Sequence, residues 1–295
     1  MMTNSNLHSA KRVKNDEFYT QYEDIEKEVV NYKEHLKGKW IYSPCDDYRW
    51  SQFKEYFVKN FKELELKHYT CTNYDIGKGA YRYDYDGVNE TITELQGDGD
   101  FRSEECIEFL KQADIVCTNP PFSLFREYVA QLIEYKKSFL IIGNQNAITY
   151  KEIFPLIKDN KMWLGCNMVK EFVKPDKTTQ SFGNVGWFTN IPHKKRNTPL
   201  ALYKKYSPKE FPKYDNYDAI NVGKVIEIPK DYDGIMGVPV TFLDKYCPDQ
   251  FEIAGCSYQY GDCGKHIDDT IWSGQINGKE IYKRIFIKNK KQQIV

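Results

Sequence analysis

Apolar positions along the first 160 residues recur alternately at helical and at strand spacing. Ile25, Val29, Tyr32 and Leu36 fall on one face of a helix predicted over 22–36, and Gly38 ends it. Trp40-Ile41-Tyr42 reads as a short strand. Trp50, Phe53, Phe57 and Phe61 repeat at helical spacing, a stripe expected in the core. Positions 66–72 predict a second strand. Tyr81, Tyr83 and Tyr85 then alternate within 80–95 and turn at Asp86-Gly87, a hairpin signal. Ser103 followed by Glu104 and Glu105 marks a helix start. The apolar run 113–118 predicts a buried strand, followed by a helix over 123–135, a strand over 138–142 and a helix over 148–158. Strands that alternate with helices predict an α/β fold with a doubly wound, mainly parallel sheet.

After Asn160 the pattern changes. Short strand-like runs appear at 162–164, 170–173 and 185–189, and from Pro199 the chain is rich in Pro, Tyr, Gly and Asp with few helical patterns. This divides the chain into an arm at 1–21, a catalytic α/β domain at 22–195 and a third region at 196–295. A length of 295 residues suits one large domain or a domain with a smaller module. The formal net charge is +0, so a nucleic-acid partner must be held by a local basic face. No apolar run approaches the length of a membrane span, and residues 1–14 lack the apolar core of a signal peptide, so a cytoplasmic location is expected. The 8 cysteines are then expected as thiols. Cys247, Cys256, Cys263 and His266 cluster, but no pair has the spacing of a strong zinc site, and no metal is expected.

The most informative stretch is Asn119-Pro120-Pro121-Phe122, directly after the 113–118 strand. Two prolines stiffen the loop and remove two backbone donors. An Asn carbonyl beside a proline carbonyl offers two acceptors to one amino group, and Phe122 offers a flat face to a ring. That set suits the exocyclic amine of adenine. Ligands of open α/β sheets bind outside the carboxyl ends of the strands, where three acidic loops are predicted. Asp46 and Asp47 follow the first strand, Asn73 and Asp75 the second, and Asp98 and Asp100 precede the helix that begins at Ser103. Acids there can take an ammonium, ribose hydroxyls and an adenine amine, all of which S-adenosylmethionine carries. Neither a glycine-rich dinucleotide fingerprint nor a Walker loop is present, in keeping with a cofactor that has no phosphate.

These segments resemble the EcoRI-type adenine-specific DNA methyltransferases. The resemblance is carried by Phe18-Tyr19-Thr20, Pro44-Cys45-Asp46-Asp47, Gly97 to Ser103 and Thr118 to Phe122. It continues into Gly237 to Tyr246 and Tyr282-Lys283-Arg284. It implies a methyltransferase fold with a carboxy-terminal target-recognition region at 196–295. The implied activity is transfer of a methyl group from S-adenosylmethionine to N6 of a flipped-out adenine in duplex DNA. The implied catalytic residues are Asn119, Pro120, Pro121 and Phe122. Phe18, Tyr19, Thr20, Pro44, Asp46, Asp47, Asp100 and Phe101 would hold the cofactor, with Asn73 or Asp75 on the ribose. The resemblance also assigns DNA contacts mainly to residues after Gly165. The cations there are Lys170, Lys174, Lys177, Lys194, Lys195, Arg196, Lys204, Lys205, Lys209 and Lys213, and Lys194, Lys195 and Arg196 are the first candidates. Tyr258, Tyr260, Lys265, His266 and Trp272 form a second group. The expected partners are double-stranded DNA and a cognate restriction endonuclease, with the enzyme a monomer. Two other readings stand beside this one: methylation of RNA or of a protein glutamine, and a catalytically silent DNA-binding module.

Overall fold

The computed structural model describes residues 19–75, 77, 79–173, 178–257 and 273–290. The chain divides into two compact units, one of residues 1–147 with 164–192 and the other of 148–163 with 193–295.

The first unit is built on a nine-stranded sheet. Its strands are β1 (Tyr19–Thr20), β2 (Trp40–Pro44), β3 (His68–Thr72), β4 (Tyr81–Tyr85), β5 (Glu90–Glu94), β6 (Ile115–Thr118), β7 (Ser138–Asn144), β8 (Trp163–Val173) and β9 (Thr179–Thr189). The order across the sheet is β1-β8-β9-β7-β6-β2-β3-β4-β5. The four central strands β3, β2, β6 and β7 run parallel. The flanks are antiparallel where β9 joins β7, β1 joins β8, and the β4–β5 hairpin joins β3. The chain leaves β2 toward β3 on one side and returns to β6 on the other. The strand order therefore reverses between β2 and β6, where open α/β sheets bind ligands.

Helices α1 (Tyr22–Val29), α2 (Gln52–Lys59), α3 (Glu104–Gln112) and α4 (Phe125–Glu134) accompany the sheet, and the second unit holds the short α5 (Phe154–Lys158). Ser51 caps α2 by accepting from Lys54 N at 3.2 Å, and Ser103 caps α3 by accepting from Cys106 N at 3.2 Å. Ile25, Val29, Tyr32 and Leu36 are all buried, as their spacing predicts. The hairpin turn needs its glycine: Gly87 has φ +96°, and a Cβ there would lie 2.7 Å from the Phe61 ring.

Three elements differ from the sequence pattern. Trp50 is 47% exposed and lies outside the core stripe, because it precedes the cap Ser51 and so sits in the turn before α2; Phe53, Phe57 and Phe61 are buried. The helix expected over 148–158 is only Phe154–Lys158, since Pro155 fits the first helical turn but not the interior. The three short runs after Asn160 are two strands of 11 residues each, β8 and β9. Their burial does not alternate cleanly, so the pattern broke them into pieces.

The second unit carries a four-stranded sheet of order β10-β11-β15-β12, with β10 (Ala219–Asn221), β11 (Ile235–Pro239), β12 (Phe251–Cys256) and β15 (Arg284–Asn289). A ribbon of β13 (Gly274–Ile276) and β14 (Lys279–Ile281) accompanies it. Tyr214, Tyr217, Ala219 and Phe286 form a core cluster there. Among the described residues no helix is long and apolar enough to cross a membrane.

Candidate active site

The carboxyl ends of β2, β3 and β6 lie side by side, and their loops are tied together by hydrogen bonds. In the β2 loop, Asp46 N donates to Thr72 O at the end of β3, at 2.9 Å. Thr118, the last residue of β6, is fully buried and hydrogen-bonds through Oγ1 to Asp46 Oδ2 at 2.5 Å and to Pro44 O. Ser43 Oγ donates to Cys117 O at 2.6 Å. After β3, Asp75 N donates to Asp98 O at 2.9 Å, which joins that loop to the 97–100 loop. Gly99 makes this junction possible. Its φ is +76°, and a Cβ there would stand 1.9 Å from Asn73 O.

Each acid has a distinct setting. Asp46 is only partly accessible, and its Oδ1 accepts from Ser51 Oγ at 2.8 Å. Burial raises its carboxyl to about 7, against the lowering effect of Thr118 and Ser51. Asp47 forms an ion pair with Arg49 at 2.5 Å, and the Arg49 guanidinium lies 4.6 Å from the Trp50 ring centre. Burial raises the Asp100 carboxyl, but the ion pair with Arg102 at 2.6 Å and the Arg102 backbone N–H outweigh it and hold the group below its ordinary value. Arg102 also reaches Glu127 of α4 at 3.4 Å. Asn73 is buried, and its Oδ1 accepts from Tyr81 N at 2.8 Å, whereas Asp75 is half-buried. Phe101 is buried edge-on against Tyr128, with ring centres 4.9 Å apart.

The arm approaches the β2 loop. Tyr19 and Thr20 pair with Val173 and Phe172 of β8, and the Tyr19 ring meets Trp50 edge-on at 6.4 Å. Thr20 Oγ1 is buried without a hydrogen-bond partner among the described residues. Phe18 lies outside the described residues.

Asn119 leaves β6 half-buried. Pro121 O accepts from Leu124 N at 3.0 Å and opens a 3-10 turn at Phe122–Leu124 that leads into α4. Phe122 is half-buried and packs edge-on against Phe172 and Phe182, at 6.3 and 6.2 Å. The sequence pattern does not single out Thr118, Ser51, Trp50 or this pair of phenylalanines. By spacing Thr118 reads as one more β-branched residue of a buried strand, although it opens the Thr118 to Phe122 segment that carries the family resemblance.

The basic triplet lies in the second unit. Lys194 is exposed. Lys195 pairs with Asp244 at 2.5 Å. Arg196 is buried, donates to Asn160 Oδ1 at 2.6 Å and lies 3.9 Å from the Trp163 ring centre. Lys170, Lys204, Lys205, Lys209 and Lys213 are exposed, while Lys174 and Lys177 lie outside the described residues. So do Tyr258, Tyr260, Cys263, Lys265, His266 and Trp272. Cys247 and Cys256 are buried thiols, and among the described residues no group of side chains could hold a metal ion.

A parallel centre with its strand-order reversal between β2 and β6, acidic loops at the reversal and an Asn-Pro-Pro-Phe loop beside them define an S-adenosylmethionine-dependent methyltransferase fold. A sequence profile of the family described as adenine-specific methyltransferase EcoRI matches residues 6–90 and 76–290. The type II methyltransferase M.EcoRI of Escherichia coli is 45% identical over 329 aligned positions, covering 99% of this chain and 98% of that protein. The type II methyltransferases M.MgeORF184P of Mycoplasma genitalium and M.MpnI of Mycoplasma pneumoniae are 38% and 37% identical, each covering 97% of this chain and 98% of the relative. No solved structure matches the chain. The chain belongs to the EcoRI family of adenine-specific methyltransferases and is a DNA adenine methyltransferase.

Proposed function

We propose that this chain methylates N6 of one adenine within a specific duplex sequence, on a base swung out of the helix. Asn119 Oδ1 and the Pro120 carbonyl accept the two amine hydrogens, and Phe122 stacks on the ring. The observation that carries this reading is the placement of Asn119 at the end of β6, beside the β2 loop, at the strand-order reversal. The use of Pro121 O by Leu124 N supports Pro120 as the second acceptor.

The target amine cannot be reached inside the stack, so the base must leave it, at a cost of a few kcal/mol. Stacking on Phe122, braced by Phe172 and Phe182, returns about 1–3 kcal/mol. Holding both amine hydrogens in acceptors turns the nitrogen lone pair out of the ring system and toward the donor. The residues thus act by orientation and electrostatics.

Bound S-adenosylmethionine supplies a methyl group on a sulfonium. The loops fit such a molecule: they offer carboxylates to an ammonium and to hydroxyls, and the buried Thr20 hydroxyl has a hydrogen bond to give. Asp47 and Asp100 are our cofactor ligands, and Tyr19 is our candidate for a cation–π contact with the sulfonium. Asp75 is our ribose ligand in preference to Asn73, whose amide oxygen is already used by Tyr81 N. Pro44 and Phe101 shape the pocket, with Phe101 doing so from the core. The second unit is assigned DNA binding and sequence choice. The reading also includes a cognate restriction endonuclease for the same site, supported by the type II class of the relatives, and action as a monomer.

The test is to sequence modified bases in DNA from cells that express the chain or its Asn119→Ala variant. N6-methyladenine in one sequence context is expected with the native chain, and none with the variant. No modified adenine in the first, or full modification by the second, overturns the assignment.

A further inference from the structure

Three oxygens stand in a row between the β2 and β6 loops. Asp46 Oδ2 is 2.5 Å from Thr118 Oγ1, which is also hydrogen-bonded to Pro44 O. On the other side, Asp46 Oδ1 accepts from Ser51 Oγ at 2.8 Å, and Ser51 Oγ in turn caps α2 by accepting from Lys54 N. A peptide carbonyl has no proton to give, a carboxylate has none, and a hydroxyl has one. One hydroxyl proton serves two close acceptors poorly, and a proton on the carboxyl would give each contact at Thr118 Oγ1 its own. As an acid, Asp46 donates from Oδ2 to Thr118 Oγ1, Thr118 donates to Pro44 O, and Oδ1 stays the acceptor for Ser51. As a carboxylate, it would compete with Pro44 O for the one proton of the buried Thr118 hydroxyl.

The surroundings favour the acid. Burial is the largest effect on the carboxyl and raises it to about 7. Cys45 of the same loop, Tyr69 and Cys71 of β3, Cys117 of β6 and Tyr128 of α4 face the region, and burial keeps all of them un-ionised. The neighbouring Asp47 raises it further, and Arg49 is committed to Asp47.

We propose that Asp46 works as an un-ionised acid that clamps the β2 loop to the residue directly before Asn119, so that Asp46 and Thr118 are positioning residues for methyl transfer. The clamp sets the angle at which Asn119 leaves β6 relative to the loop that faces the cofactor. This role rests on the function proposed above, and it assigns Asp46 a different task from Asp47 and Asp100.

The experiment uses the full chain with duplex DNA and S-adenosylmethionine, followed from about pH 6 to 9. Thr118→Val and Asp46→Ala are expected to lower kcat about tenfold or more while moving the cofactor KM less than about threefold. Thr118→Ser, which keeps the hydroxyl, restores most of the rate. In the native enzyme kcat falls as pH rises through the neutral range. Asp46→Asn, whose amide donates at every pH, exceeds Asp46→Ala and removes that fall. If Asn is no better than Ala and the loss lies in cofactor affinity by calorimetry, Asp46 is a charged cofactor ligand and the proposal is overturned. An alkaline fall that persists in Asp46→Asn also overturns it. Infrared difference spectra of the apo protein separate this question from the activity. A protonated-carboxyl band present in the native chain and missing in Asp46→Asn supports the clamp whether or not DNA is methylated, and its absence in both overturns it.

Discussion

At the scale of single residues, the acids around the site differ in what they still have to offer. Asp47 and Asp100 are paired with Arg49 and Arg102, each an arginine two positions on and about half exposed. A ligand ammonium or hydroxyl would share those carboxylates with the arginines. Loss of one such charge-assisted bond costs about 1.5–3 kcal/mol. Calorimetry on Asp47→Ala and Asp100→Ala should therefore show cofactor binding weakened by that amount, and unchanged affinity in both would move the site elsewhere. Asp46 makes a separate prediction about stability. Its folded value, about 7, lies above its ordinary 3.8. The folded state then holds the proton more tightly than the unfolded chain does. The resulting stabilisation is complete below the unfolded value and is lost as pH rises through about 7. Thermal midpoints of the apo enzyme should fall as pH rises from about 4 to about 7 and level off above that, and Asp46→Asn should flatten the decline. The loops of the candidate site were legible in the sequence because prolines and acids in loops have few packing reasons to be there. The clamp was not legible: Thr118 and Ser51 are small hydroxyl residues whose roles depend on which strands become neighbours.

At the scale of elements, the central parallel strands and their helices follow from apolar spacing, and the flanks do not. The β8 strand shows why. Glu28 of α1 is buried and accepts from Cys166 N at 2.7 Å, Asn167 N at 2.8 Å, Asn167 Nδ2 at 2.9 Å and Tyr32 Oη at 2.7 Å. Gly165 leaves the room, since a Cβ there would stand 2.4 Å from Glu28 Oε1. A carboxylate thus fastens helix α1 to β8, the strand on which the arm strand β1 is paired. In sequence, Glu28 looks like one acid among several on a solvated helix, and Cys166-Asn167 interrupts an apolar run. Each buried donor left without an acceptor costs about 1–3 kcal/mol. Glu28→Ala should therefore lower the unfolding free energy by at least about 3 kcal/mol, since it strands several donors at once. Urea unfolding with an unchanged m-value would read this directly. A loss below about 1 kcal/mol would mean that the β8 backbone finds other partners. The arm should loosen together with this joint, so cofactor affinity should fall in the same variant.

At the scale of the whole molecule, Lys+Arg and Asp+Glu balance at 42 each, so DNA must be held by a local array of cations. The basic triplet of the second unit looks like a single patch in the sequence, yet its members have different environments. Arg196 is buried on Trp163 and bonded to Asn160, and burial lowers its guanidinium pKa. Lys195 is paired with Asp244 within the Gly237 to Tyr246 segment, and both side chains are partly exposed. Lys194 is exposed. Sequence alone could not separate them, because burial of the third depends on Trp163 and Asn160, which lie more than thirty positions earlier. Three single variants should therefore behave in three ways. Lys194→Ala should weaken binding to every duplex and reduce the slope of log affinity against log salt by about one, the signature of a lost phosphate contact. Lys195→Ala should change stability by no more than about 1 kcal/mol, as partly exposed pairs do. Arg196→Ala should lower the thermal midpoint of the protein, because it removes a buried stacked group and leaves Asn160 Oδ1 only the longer bond from Tyr246 Oη at 3.4 Å, and it should not alter the salt slope of the DNA complex that remains. A salt slope that drops in Arg196→Ala and stays fixed in Lys194→Ala would reverse the assignment. A slope unchanged in all three would move the phosphate contacts to the exposed Lys204, Lys205, Lys209 and Lys213.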